Sequence, residues 1–192
     1  MWGWGAGMGL FNAGFQVVGF DIKPQPNYPF EFILQDALTV DLSRFDAIWA
    51  SPPCQRYSRM TPNRIKPTYW NSIPPVRNCL ENSGKPYIIE NVPCSPLRID
   101  LKLNGPMFGM CLLRERWFES NIELHQPLPK PRVGEPLHFG GDAKGRKVAR
   151  KQELAEDMGI DWMTRAEMGQ AVPPVYAEYI GGILMKQLNK LG

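Results

Sequence analysis

Two short segments carry side chains that can do covalent chemistry. Pro52-Pro53-Cys54-Gln55 follows the apolar run 45–50 directly. Proline fixes φ and stiffens the exit from a strand, so the thiol of Cys54 is presented from a rigid loop. A cysteine nucleophile needs that placement, together with a lowered thiol pKa or a substrate that assists attack. Taken alone, the tetrapeptide reads equally as a buried cysteine beside a tight turn. Glu90-Asn91-Val92 closes the next apolar run, Tyr87-Ile88-Ile89. A carboxyl there can hydrogen-bond an amino group and share a proton with a ring nitrogen, as recognition of a nucleobase requires. Taken alone, it reads more readily as a strand-end glutamate paired with an arginine.

The elements that position these groups follow from the apolar pattern. Short runs at 17–20, 32–34, 45–50 and 87–89 each end next to a polar group: Asp21, Asp36, Ser51 and Glu90. Alternation of such runs with helix-compatible segments predicts an α/β fold with a mostly parallel sheet. In a doubly wound sheet the positions after the strands line the crevice at the carboxyl edge, where ligands bind. Residues 56–75 contain Pro62, Pro67, Pro74 and Pro75 and are expected to form a long loop. A helix then runs from Pro75 through Leu80 to a stop at Gly84. Thr164-Arg165-Ala166-Glu167 has capping-box spacing. Tyr176, Ile180, Ile183, Leu184 and Leu188 recur at helical spacing in a last helix over 174–191.

Composition narrows the class. The chain has 192 residues, 43% hydrophobic and 21% charged, which suits one globular domain. The formal charge of +3 proves no nucleic-acid partner but is compatible with one where positive charge is clustered. The strongest cluster is Lys144, Arg146, Lys147, Arg150 and Lys151, within a Pro/Gly-rich stretch, 126–151. It reads as a set of phosphate contacts or as a solvated loop. Cys54, Cys79, Cys94 and Cys111 lack C-x-x-C spacing, and His125 and His138 are the only histidines, so no metal site is expected. Reduced cysteines, no membrane span and no signal segment point to a cytoplasmic setting.

Further motifs fall into an order. Phe108-Gly109 opens a segment that reaches Arg114-Glu115-Arg116, and Gly169-Gln170-Ala171-Val172-Pro173-Pro174 follows near the end. With the glycine-rich N-terminus, Asp21, Asp36, Pro-Cys and Glu-Asn-Val, this ordered set resembles the cytosine-C5 DNA methyltransferase family. The resemblance spans the chain from its N-terminus to about Gly181, with a gap from Asn121 to Trp162. It implies a Rossmann-like fold that uses S-adenosylmethionine as methyl donor and acts on a cytosine flipped out of duplex DNA. By the same resemblance Cys54 attacks C6 of the base, Glu90 binds its N3/N4 edge, and Arg114 and Arg116 orient the base or its phosphate. Asp21 takes the cofactor ribose, Ile22 packs on the adenine, and Asp36 reaches the adenine amino group. Gly3, Gly5, Gly7 and Pro52 line the cofactor, and Gln170 and Val172 close its site. Gln55, Asn91, Lys144, Arg146, Lys147 and Arg150 are expected to meet DNA. The size is similar to small, phage-encoded forms that guard DNA against restriction.

The chain departs from that pattern in three places. The resemblance puts Met1 already inside the glycine-rich cofactor loop, so the first strand, central in the family's sheet, is expected to be missing. The region between the arginine pair and the late motif holds only about fifty residues, a reduced target-recognition insert expected at 119–163 of a single domain over 1–192, with 168–192 as the C-terminal cofactor-site segment. Leu112 stands where the family has Gln. Two other readings stay open: a DNA-binding relic of the fold without turnover, and the same chemistry on single-stranded nucleic acid or RNA.

Overall fold

The computed structural model describes residues 4–128, 130–131, 134–140 and 148–191. Its strands are β1 (Val18–Asp21), β2 (Glu31–Leu34), β3 (Ile48–Ala50), β4 (Tyr87–Asn91), β5 (Leu101–Leu103) and β6 (Arg116–Ser120). The helices are α1 (Trp4–Asn12), α2 (Ile73–Ser83), α3 (Lys151–Met158), α4 (Arg165–Gln170) and α5 (Pro174–Leu191), with four short 3-10 turns between. No helix among the described residues is long and apolar enough to cross a membrane.

The strands form two sheets. β1 and β2 pair in parallel, and a four-stranded sheet has the order β3-β4-β6-β5. β3 and β4 are parallel, whereas β6 runs antiparallel to both β4 and β5. The fold is therefore α/β with a mixed arrangement, and the expectation of a mostly parallel sheet is corrected. The reason lies in the connections. A parallel neighbour needs a crossover, usually a helix; α2 supplies one between β3 and β4. β5 and β6 are instead joined by residues 104–115, which hold no helix longer than the 3-10 turn Gly105–Phe108. They return as a wide hairpin that slots β6 against β4.

Side chains of the larger sheet alternate between two cores. Ile88 and Phe118 face one built with Tyr176 and Ile180 of α5, Leu154 and Met158 of α3, and Met168 of α4. Tyr87, Ile89 and Ala50 face the other, against Ile73, Val76 and Leu80 of α2. The sheet thus lies between α2 on one face and α5 on the other. α2 stops at Gly84, which adopts φ +65°, as the sequence indicates. The capping box at Thr164 forms with both hydrogen bonds, to and from Glu167.

The N-terminus differs from expectation. Residues 4–12 are not a loop but a helix, despite Gly5, Gly7 and Gly9, each costing about 1 kcal/mol relative to alanine in a helix. Packing overrides the propensity. A Cβ on Gly5 would lie 1.8 Å from the Val172 carbonyl oxygen, and one on Gly9 would lie 2.1 Å from that of Pro174. Only glycine lets α1 lie this close to the start of α5.

Candidate active site

β3 and β4 run in the same direction, so both deliver their carboxyl ends to one edge. Their register ends at Ala50↔Ile89, and the next step sets Ser51 beside Glu90. The Ser51 hydroxyl accepts from Trp49 Nε1 at 3.0 Å and hydrogen-bonds the Glu90 carboxylate. From the other side Arg116, the first residue of β6, places its Nε 2.9 Å from Glu90 Oε1. Glu90 is buried, which pushes its carboxyl above the ordinary value of 4.5; Arg116, Ser51 and Arg114 pull the other way. A carboxyl held up in this manner is suited to donating a proton as well as accepting one.

Cys54 stands in the loop after β3, half-buried. Its peptide oxygen accepts from the N–H groups of Tyr57 and Ser58, both at 2.9 Å, closing a turn. The prolines ahead of it are tied down in turn: Asn91 Nδ2 donates to the Pro52 carbonyl at 2.9 Å, and the Ser72 hydroxyl to that of Pro53 at 3.4 Å. Burial pushes the thiol up from its ordinary value; Arg116 counters this and Glu90 adds to it. Cys54, Glu90, Arg114 and Arg116 therefore share one electrostatic neighbourhood.

Several expected roles change. Asn91 is not on a DNA-facing surface: it is almost fully buried, and its amide is spent on Pro52 and on the Val92 N–H. It is a strut under the cysteine loop. Arg114 is buried and turned to main-chain carbonyls. Its guanidinium donates to the carbonyls of Ala171 at 3.0 Å and Gly169 at 2.7 Å and stacks over Phe139, 4.7 Å from the ring centre. It fastens the late motif to the arginine loop, helped by the Tyr176 hydroxyl, which donates to the Arg114 carbonyl at 2.8 Å. Burial first, and Arg116 second, push Arg114 well below its ordinary value. Val172 is fully buried in the α5 core and offers packing, not a ligand surface.

The other expected cofactor residues lie at the ends of β1 and β2 and in α1. Asp21 is buried at the end of β1, and its carboxylate accepts from the Lys23 N–H at 2.9 Å. Ile22 beside it is 67% exposed, an uncovered apolar side chain. Asp36 caps a 3-10 turn by accepting from Leu38 N–H at 3.0 Å. Gly7 faces Tyr28, whose ring also lies against Gly19 and whose hydroxyl burial pushes up to about 12. Gln170 has a buried Oε1 with no hydrogen-bond partner among the described residues. Gln55 is half-buried beside Cys54. Arg150 caps α3 and pairs with Glu153 at 3.2 Å, while Gly3, Lys144, Arg146 and Lys147 lie outside the described residues. Ser51, Ser72, Phe139 and Tyr176 were missed from the sequence. Ser51 left a signal as the polar residue that ends the β3 run, and Tyr176 as part of the helical pattern over 174–191.

A strand edge bearing a constrained cysteine thus stands beside a buried Glu–Arg pair that joins β4 to β6, within an α/β fold. Solved structures carry the same fold. One described as a DNA modification methyltransferase encoded within a prophage of E. coli superposes with a TM-score of 0.62 at 13% identity, over 96% of each chain. The Entamoeba histolytica methyltransferase EhMeth superposes with a TM-score of 0.56 at 14% identity, over 95% of this chain and 96% of its own. No protein-family model matches the sequence, and no curated protein matches it.

Proposed function

We propose that the chain is a DNA cytosine-C5 methyltransferase, with Cys54 as nucleophile and S-adenosylmethionine as donor. The observation that carries this reading is the meeting of Cys54 with Glu90, paired to Arg116, at the carboxyl edge of two adjacent parallel strands. The fold shared with methyltransferases supports it.

In this reading the cytosine is flipped out, since C6 cannot be attacked within the base stack. Cys54 releases its thiol proton to solvent and its sulfur bonds to C6 while Glu90 donates a proton to N3, so the C5=C6 electron pair is drawn onto C5. The raised Glu90 carboxyl suits that donation, and the raised Cys54 thiol makes attack depend on it. Arg116 holds Glu90 in place and carries the balancing charge. After C5 is methylated, loss of the C5 proton to solvent expels the Cys54 thiolate, N3 returns its proton to Glu90, and the ring is restored.

The residues present fit the donor. Gln170 offers a buried acceptor that no group among the described residues satisfies, suited to a ligand N–H. Asp21 would take its ribose, Asp36 and Ile22 its adenine, with Gly5, Gly7 and Pro52 alongside. When bound, S-adenosylmethionine supplies an electrophilic methyl group.

The test is transfer of labelled methyl from S-adenosylmethionine to unmethylated duplex DNA, with single-stranded DNA and RNA in parallel. Cytosine label that vanishes in Cys54→Ala, with donor binding retained, is the expected result. Label on adenine, or transfer surviving in Cys54→Ala, rejects the reading.

A further inference from the structure

β2 is the outer strand of the smaller sheet, and among the described residues its partner strand is β1 alone. The register tells which of its peptide groups face outward. Gln35 N–H donates to the Asp21 carbonyl at 3.0 Å, so the odd-numbered residues of this segment turn their main-chain groups toward β1. That direction alternates along a strand, so Phe32 and Leu34 turn theirs to the open edge. Apolar side chains flank the edge. Leu34 is 59% exposed and Ile33 36%, and Phe11, 55% exposed, lies 5.2 Å ring to ring from Phe30, just ahead of the strand. Open edges are commonly guarded by lysine or proline, which discourage pairing. β5, the outer strand of the larger sheet, has Lys102 at its centre. β2 has neither guard within Glu31–Leu34.

We propose that β2 pairs antiparallel with β2 of a second copy of this chain, about a two-fold axis at Ile33, to make one sheet continuous across the two. Antiparallel pairing of identical strands is self-complementary, as an isologous dimer requires. The outward groups fix the register. Phe32 of each copy faces Leu34 of the other, and each such pair exchanges both of its hydrogen bonds. Ile33 then meets Ile33 in the close, non-hydrogen-bonded position between them. Charge agrees with this arrangement: Glu31 faces the uncharged Gln35, so no carboxylate opposes another. Either two-residue shift breaks the apolar pair and sets Ile33 against Glu31 or Gln35. The area buried by so short an edge falls below about 1,200 Å², the range of weak, transient contacts, so the dimer forms as concentration rises.

Sedimentation equilibrium from low to high micromolar concentration is expected to show a mass rising from one chain toward two, whereas Ile33→Lys stays at one. Oxidation reads the register. In the close antiparallel position Cα atoms lie about 4.5 Å apart, within disulfide reach. Ile33→Cys is therefore expected to cross-link into a dimer about tenfold faster than the native chain, whose exposed Cys94 sets the background. Glu31→Cys, with its mate roughly 14 Å away across the same axis, is expected to stay at that background. A native chain that remains monomeric throughout leaves the edge to a strand of another protein and overturns the proposal, as does a dimer that survives Ile33→Lys. Cross-linking of Glu31→Cys as fast as that of Ile33→Cys overturns the pairing. None of these readouts uses methyl transfer.

Discussion

The sheet that carries Cys54 and Glu90 is covered on both faces, whereas the pair of strands that carries Asp21 and Asp36 is not. All five residues of β4 are buried, against none of the four in β2. A buried ion pair braces the larger sheet: Arg77 of α2 grips fully buried Glu119 of β6 through both carboxylate oxygens, at 2.5 and 2.6 Å. The smaller sheet relies on aromatic packing, such as Tyr28 against Phe30 and Phe32, with ring centres 5.6 and 6.1 Å apart. The cysteine and glutamate proposed for covalent chemistry thus stand on the well-covered half, and Asp21 and Asp36, proposed to bind the donor, on the half with less cover.

The sharpest way to probe the rigid half is Glu90→Gln, which keeps the shape and removes the exchangeable acid. Methyl transfer is expected to fall by about 10²- to 10⁴-fold, measured at saturating donor. The same variant reads out pH. Because burial raises Glu90, the folded chain binds its proton more tightly than the unfolded chain does. Stability from this group is full below 4.5 and is lost as pH rises through the raised folded value. Glu90→Gln is expected to flatten that slope in melting temperature against pH; an unchanged slope assigns it to another group.

Next comes Arg77→Ala, which removes the charge partner of Glu119 in the core and leaves it the Arg98 N–H at 2.8 Å. A loss of about 3–5 kcal/mol is expected by denaturant unfolding, and a loss below 1 kcal/mol would show that the brace is not needed. Ile88→Ala and Ile33→Ala then set the two sheets side by side. Ile88 is fully buried and its truncation is expected to cost about 2–5 kcal/mol, whereas Ile33, 36% exposed, is expected to cost less than about 1 kcal/mol. Equal costs would dissolve the contrast. The smallest effect is expected from Lys147→Ala with Arg150→Ala, which lowers DNA affinity and reduces the salt slope by about two contacts. An untouched slope would remove both residues from the DNA surface.

The parallel strands were legible because each is a compact apolar run ending at a polar residue. β5 was not, since Leu101–Leu103 is only three residues with a lysine at its centre. β6 places Glu119 inside a core, and the residue that makes this tolerable, Arg77, lies 42 positions away. Cys54 and Glu90 could be read from local motifs because strand register brings neighbouring strand ends together. The duties of Arg114 and Asn91 could not, since each is set by a carbonyl far along the chain: Gly169 and Ala171 for one, Pro52 for the other.

The seam between α1 and α5 has a consequence for how glycines are counted. Gly5 and Gly9 are spaced by one helical turn, and at both the only side chain that fits is a hydrogen atom. In a substitution scan they would register as intolerant as any active-site position because of this seam alone. Intolerance at these two positions is a measure of how near two backbones lie, since they form the joint between the first helix and the last.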